Sequence, residues 1–252
     1  MELASVIGLP LGVGVVLLGL LLEGGHLHSI MGLSAFIIVI GGAFGASMLE
    51  TPFDNFKQGL GLILLAFKGS HHHPEELVEQ VTKLAGIARK DGLLALEKER
   101  ENIKDPLLKE ALRFAIDGLE PNLVSAILES RTGYRSHNAT VSAKFWMSFA
   151  GYCPTVGILG AVLGLIHVME NLDNPAAIGP GIATAFIATV YGVGFSNLVF
   201  MPIGNKLKAL IAHDDSYYEM VKVGVKGIQQ GTSPSIIASH LMAIVDKEAK
   251  EE

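Results

Sequence analysis

The fold is decided by two stretches of sequence, FWMSFAGYCPTVGILGAVLGLIHVM (residues 145–169) and PGIATAFIATVYGVGFSNLVFMP (residues 180–202). Neither contains Asp, Glu, Lys or Arg. About 20 apolar residues are enough for a helix to cross a bilayer. Each stretch also has small residues at helical spacing, which allow membrane helices to approach closely. We therefore predict two membrane-spanning helices that pack around another element.

The composition of the whole chain is that of a membrane protein with several spans. Of its 252 residues, 50% are hydrophobic and 17% are charged, and the hydrophobic residues come in blocks. Two further blocks, residues 5–22 and 30–49, are long enough to span a bilayer. The first is expected to be a retained span, because the N-terminus lacks the basic region of a signal peptide. We predict an all-α, polytopic protein with four transmembrane helices.

A long polar region separates the second span from the third, and its pattern is helical throughout. Pro74 suits the first turn of a helix, Asp91-Gly92 predicts a turn, and Pro121 begins a last helix that we expect to end near Ser130. The chain is accordingly divided into spans 1 and 2 (1–49), a helical domain (50–144), spans 3 and 4 (145–202) and a helical tail (203–252).

The distribution of basic residues predicts the topology. The links at residues 23–29 and 170–180 contain no Lys or Arg, whereas the long polar region and the tail contain many. By the positive-inside rule, both termini and the inserted domain are expected to be cytoplasmic. Pro154 and Pro202 then lie near the cytoplasmic face. Each removes a backbone donor and favours a kink, so these prolines either only shape their helices or act as hinges that transmit movement.

The four spans contain no Asp, Glu, Lys or Arg, although ionisable residues usually mark an ion path, and His167 is the only candidate of that kind. His167 is expected at the membrane interface, and the tract His71–His73 resembles a metal site only in composition. No nucleophile with a base, no phosphate loop and no basic patch is evident, so we expect no enzyme, no metal or other cofactor, and no nucleic-acid partner. If the protein moves ions, another chain must supply the titrating group. Thr189 either bonds to its own helix or lines a polar path.

Four motifs, at residues 153–165, 174–183, 188–192 and 202–208, resemble those of one family: CPTVGILGAVLGL, NPAAIGPGIA, ATVYG and PIGNKLK. They are similar to the MotA/PomA family of flagellar motor stator proteins, and the resemblance extends over nearly the whole chain. It implies an inner-membrane ring, taken to be a homopentamer, around two single-span partner subunits of the MotB/PomB type. The partner supplies a membrane Asp, and ion flow drives torque on the rotor protein FliG.

The same resemblance assigns roles to individual residues. Pro154 and Pro202 match the two functional prolines, and Thr189 matches the ion-path threonine. Sodium-type members usually carry a hydroxyl residue where this chain has Ala161, so we favour H⁺ over Na⁺. The segment from Arg89 to Glu97, RKDGLLALE, matches the part of the family whose arginine and glutamate contact the rotor.

Two other functions remain open from the sequence. An ExbB/TolQ-type energiser of a periplasmic transducer also forms a ring around a partner helix, but it normally has three spans. A conventional transporter is disfavoured because the spans lack charged residues and no inverted repeat is visible.

Overall fold

The computed structural model describes the backbone of residues 3–70 and 72–251, and 88% of the chain is helical. The helices are, in chain order, α1 (Leu3–Leu22), α2 (Leu33–Glu50), α3 (Phe53–Lys68), α4 (Pro74–Asp91), α5 (Leu96–Arg100), α6 (Pro106–Ile116), α7 (Pro121–Glu170), α8 (Pro175–Phe195), α9 (Met201–Gln229) and α10 (Pro234–Glu251). Two segments are π-helical, Ile37–Gly41 inside α2 and Ser196–Phe200, which joins α8 to α9. No strand occurs in the described residues. The predicted all-α class is confirmed.

Four helical stretches are long and apolar enough to cross a membrane: α1, α2, α7 and the run formed by α8, the π segment and α9. Their side chains leave much apolar surface uncovered within the chain. In α1 no residue is buried. The four predicted spans are therefore confirmed, and their outward surfaces are suited to lipid or to other protein helices.

Local sequence signals account for where several helices begin and end. Pro74 is at the first turn of α4, and Gly92 ends that helix with a φ of 85°, a conformation that glycine adopts without strain. The Asp105 carboxylate accepts a hydrogen bond of 2.6 Å from the Leu108 N–H and so caps α6. The Asn174 side chain accepts from the Ala176 N–H at 3.2 Å at the start of α8.

The expected helix end near Ser130 is wrong, because α7 continues without interruption to Glu170. Residues 131–144 contain no proline, and their charged side chains are compatible with a helix in water. At 1.5 Å per residue a helix of this length is about 75 Å long, whereas the hydrocarbon core of a bilayer is about 30 Å thick. A large part of α7 must therefore lie outside the membrane.

The chain forms two compact units. One contains Met1–Gly69 and Asn138–Ala209, and the other contains Ser70–His137 and Leu210–Glu252. We call them the membrane unit and the polar unit. Helix α3, which the sequence division assigns to the polar domain, groups with the spans. The four-part division itself stays a prediction.

The membrane unit has an aromatic cluster where α2, α3 and α7 meet. Phe44, Phe56 and Phe145 contact one another edge to face, with ring centroids 5.2–5.7 Å apart. The indole N–H of Trp146 donates to the Gly59 carbonyl at 2.8 Å. A methyl group at Gly59 would lie 2.7 Å from the Ser142 carbonyl oxygen, so only glycine allows α3 to pack this closely against α7.

The polar unit has its own hydrophobic core, built from aliphatic side chains of α4, α6, α9 and α10. Leu77, Val81 and Leu84 recur at helical spacing along one face of α4 and are at most 2% exposed. Leu112 and Val221 are fully buried against them. Burying such side chains provides the main driving force for folding of this unit.

Candidate functional site

The third and fourth spans pack closely through glycine, and this contact is the centre of the candidate site. A methyl group added at Gly157 would lie 3.0 Å from the Ala188 carbonyl oxygen, and one at Gly164 would lie 3.0 Å from the Ala185 nitrogen. At Gly192 an added methyl would lie 2.7 Å from the Cys153 carbonyl oxygen. These distances to backbone atoms leave no room for a side chain. The predicted small-residue stripes therefore face each other within one chain.

Pro154 lies in the middle of this contact and is half-buried. It has no N–H, so the carbonyl four residues earlier, that of Ala150, loses its usual helical donor. The Ser196 hydroxyl donates to this carbonyl at 2.7 Å, and Ser196 is only 1% exposed. The backbone group freed by the proline in the third span is thus satisfied by a side chain of the fourth.

Thr189 and Ala161 lie beside the contact rather than inside it. Ala188 is fully buried against the third span, whereas the neighbouring Thr189 is exposed. The Thr189 hydroxyl donates to the Ala185 carbonyl of its own helix at 3.3 Å. Ala161 is half-buried and follows Gly160 in the contact.

Pro202 is exposed and lies at the start of α9, directly after the π segment Ser196–Phe200. Proline cannot donate to the carbonyl of the preceding turn, and π turns often occur where the regular α ladder is interrupted. The fourth span therefore departs from α geometry directly before Pro202.

Two polar contacts connect the second span and the link before it to the other spans. The Tyr191 hydroxyl donates to the Ile30 carbonyl at 2.7 Å and accepts from the Gly32 N–H at 3.1 Å. At the other end of α2, the Glu50 carboxylate accepts from the Tyr152 hydroxyl at 2.8 Å and also from the Ser148 hydroxyl. Both contacts hold α2 beside the helices that contain Pro154 and Thr189.

In the polar unit, Arg89 and Glu97 flank the turn at Gly92. Arg89 lies in the last turn of α4 and Glu97 in the first turn of α5, and both are exposed. Neither has a hydrogen bond or an ion pair in the part of the chain that the structure describes. The fully buried Leu96 fixes the backbone between them, and Leu94 is 74% exposed. This corner exposes both signs of charge and one apolar side chain.

His72, from the tract considered as a metal site, instead joins three segments of the polar unit. Its ring stacks on Tyr217 at 4.3 Å between centroids, and its two nitrogens lie 3.8 Å from Asp105 and 3.9 Å from Asp214. Burial lowers the pKa of His72, and the two carboxylates oppose this effect. His71 lies outside the described residues. No group of three potential metal ligands occurs among the residues described.

Comparison with known proteins assigns the chain to a protein family. Residues 6–92 match the Motility protein A N-terminal family, and residues 99–220 match the MotA/TolQ/ExbB proton channel family. Motility protein A of Helicobacter pylori is 33% identical over 96% of this chain and 94% of its own length, and the chemotaxis protein PomA of Vibrio alginolyticus is 30% identical over the same shares. The chain belongs to the MotA/PomA family of flagellar stator proteins.

The structural comparison agrees with this assignment. A solved structure of Campylobacter jejuni MotAB superposes with a TM-score of 0.91 at 34% identity, covering 97% of this chain and 96% of the other. The chain is therefore a flagellar motor stator subunit and a multi-pass inner-membrane protein. Members of the MotA/PomA family are non-enzymatic components of ion channels. The family and the general function predicted from the motifs are confirmed.

The side-chain partners of Ser196, Tyr191 and His72 were not predicted from the sequence. Ser196 was visible as a polar residue on the small-residue face, and Tyr191 lies inside the motif ATVYG. A hydroxyl within an apolar span needs an acceptor, and that need was the available signal. The position of His72 between Asp105 and Asp214 has no local signal, because the three residues are distant in sequence.

Proposed function

We propose that this stator subunit assembles, as a pentamer, into a ring around a single-span partner of the MotB type and couples ion flow to torque on the rotor. The observation that carries the proposal is the superposition on MotAB over 97% of the chain. The spans 145–169 and 180–202 contain no Asp, Glu, Lys or Arg, so a partner carboxylate completes an ion path. Both termini and the polar unit are then cytoplasmic, in agreement with the positive-inside rule.

Reconstitution tests the partner's role directly. The chain alone in vesicles is expected to pass no ions, and the complex with the single-span partner is expected to pass them in response to a pH gradient. Replacing the partner's membrane Asp with Asn should abolish the flux while the complex still purifies intact. A flux from the chain alone, measured with a pH-sensitive dye, would contradict the proposal.

The ion is proposed to be H⁺, and its path to pass Thr189 and Ala161. The exposed Thr189 offers one hydroxyl oxygen, and Ala161 offers no side-chain oxygen. A partly dehydrated Na⁺ needs several oxygen ligands, whereas a proton needs only a carboxylate and water. Swimming speed is expected to be independent of external Na⁺ at fixed pH. A speed that rises with Na⁺ would exclude the proton assignment.

Pro154 and Pro202 are proposed to couple the ion path to movement of the polar unit. Replacement of either with alanine restores a backbone donor, and we expect rotation to stop while the complex still assembles. Pro10→Ala is the matched control, since Pro10 also lies within a span but is exposed in α1. Loss of the purified complex in the two coupling variants would mean that these prolines are only structural.

Arg89 and Glu97 are proposed to contact the rotor protein FliG. Exposed charges without internal partners orient a complementary surface more than they add affinity. Arg89→Glu or Glu97→Lys should lower torque, and a charge reversal on the rotor should restore it. Lys98→Glu is the control, because Lys98 is an exposed neighbour with no proposed contact. Equal effects at Lys98 and Arg89 would refute a specific contact.

A further inference from the structure

We propose that Ser196 is a positioning residue for the hinge at Pro154, because its hydroxyl replaces the backbone donor that the proline removes. This inference rests on the proposed function of Pro154. The donor and acceptor belong to different spans, so the bond fixes the third span at its proline against the fourth span at its π segment.

The need for such a donor follows from the membrane. Within the hydrocarbon region no water is present to pair with a free carbonyl, so each freed group must find a protein partner. Proline at position 154 deprives the Ala150 carbonyl of its donor, and the proline ring also crowds that carbonyl. Ala150 is fully buried, so lipid and water are both excluded from it.

Two other hydroxyls in the spans, those of Ser47 and Thr189, bond within their own helices. The Ser47 hydroxyl donates to the Ala43 carbonyl of its own helix at 2.8 Å, and Thr189 likewise bonds within its own helix. Ser196 is as buried as Ser47, yet its hydroxyl reaches across to the third span at 2.7 Å. The difference is the free carbonyl opposite Ser196.

Gly192, one turn before Ser196, brings the two helices close enough for the Ser196 hydroxyl to bond to the Ala150 carbonyl. A methyl group at Gly192 would lie 3.2 Å from the Pro154 Cα and 2.7 Å from the Cys153 carbonyl oxygen. Serine has a short side chain, so its hydroxyl can bond to the opposite helix only where the two backbones are in contact. Gly192 and Ser196 together therefore bring the fourth span to both sides of the proline.

The Ser196 bond also constrains how the third span can move. When the third span bends at Pro154, the Ala150 carbonyl moves relative to the fourth span, and the Ser196 bond must lengthen or be remade. Ser196 thus favours one geometry of the hinge, and transmits its displacement to the segment that precedes Pro202. Removing the hydroxyl should leave the hinge present but poorly positioned.

A double-mutant cycle tests the bond. Ser196→Ala should lower the midpoint of thermal unfolding of the purified complex when Pro154 is present. In a Pro154→Ala background the backbone N–H that the substitution restores can donate to the Ala150 carbonyl, so Ser196→Ala should cause less than half of that shift. Ser47→Ala, measured in both backgrounds, should give the same shift in each. Equal shifts for Ser196→Ala in both backgrounds would overturn the proposed bond.

Torque per stator unit tests the positioning role. In a tethered-bead assay, stator units join the motor one at a time and the speed rises in steps. Ser196→Ala should reduce the height of each step, whereas a variant that is merely less stable should reduce the number of steps. Ser47→Ala should leave the step height unchanged. Full-height steps for Ser196→Ala would overturn the positioning role, whereas rotation by Pro154→Ala would instead overturn the proposed hinge.

Discussion

Gly192→Ala is expected to weaken the packing of the third and fourth spans, although alanine has the better helix propensity. The added methyl would lie 2.7 Å from the Cys153 carbonyl oxygen, 3.0 Å from the Gly157 Cα and 3.2 Å from the Pro154 Cα. All three atoms belong to the backbone of one helix, so none can rotate away. Ordinary contact begins at 3.4 Å, and the helices must separate by about 0.7 Å, the difference between 3.4 and 2.7 Å.

The cost of this overpacking is about 1–3 kcal/mol. Alanine recovers part of it, because it is more favourable than glycine inside a helix by about 0.8–1.0 kcal/mol. Gly194→Ala gives the matched reference. It lies two residues further along the same helix, and a methyl group there would meet nothing within 4 Å. The difference between the two variants isolates packing and is expected to be about 1–3 kcal/mol.

The assay is thermal unfolding of the purified chain in detergent, followed by fluorescence. The chain contains one tryptophan, Trp146, which is 6% exposed within the membrane unit and so reports on this packing. Gly192→Ala should unfold at a lower temperature than both wild type and Gly194→Ala. If Gly192→Ala were as stable as Gly194→Ala, the close approach of the two helices would be refuted.

Three further predictions concern contacts elsewhere in the chain. Burial lowers the pKa of His72 below its ordinary value of 6.5. At pH values below about 6.5 the unfolded chain therefore binds more protons than the folded chain, and the free energy of unfolding should fall as the pH drops. His72→Gln should reduce this pH dependence of the unfolding midpoint. Tyr191→Phe leaves the Ile30 carbonyl and the Gly32 N–H without their partner, so its unfolding free energy should fall by about 1–3 kcal/mol, and an unchanged value would contradict that contact. Asp105→Ala removes the α6 cap and should cost about 0.5–2 kcal/mol in denaturant unfolding, whereas Asp105→Asn should retain most of the stability.

The spans and most helix boundaries could be predicted because their signals are local. A run of about 20 apolar residues, a proline in the first turn or a glycine at a helix end acts through its immediate neighbours. The start of α4 at Pro74 and the turn at Gly92 were found in this way. The continuation of α7 beyond Ser130 was missed because charged residues imply exposure to water, and exposure alone does not end a helix.

The details of the site could not be predicted, because they depend on contacts between distant segments. The small-residue stripe of the fourth span was visible, but helical spacing placed Thr189 on it with Ala185, Gly192 and Ser196, and that placement is wrong. The structure buries Ala188 and exposes Thr189. The donor for the Ala150 carbonyl comes from another helix, and the two carboxylates near His72 come from two other segments.

The two π segments also affect how homologous chains should be aligned. A π turn accommodates more residues than the α turn that it replaces, so Ile37–Gly41 and Ser196–Phe200 each hold an extra residue within a span. A relative that lacks one residue at either place could close the turn to α geometry and keep both flanking helix faces in register. In a sequence alignment, single-residue gaps in these spans should therefore be placed inside the π segments. A residue can be inserted or deleted there without turning the packed faces of the flanking helices away from their neighbours.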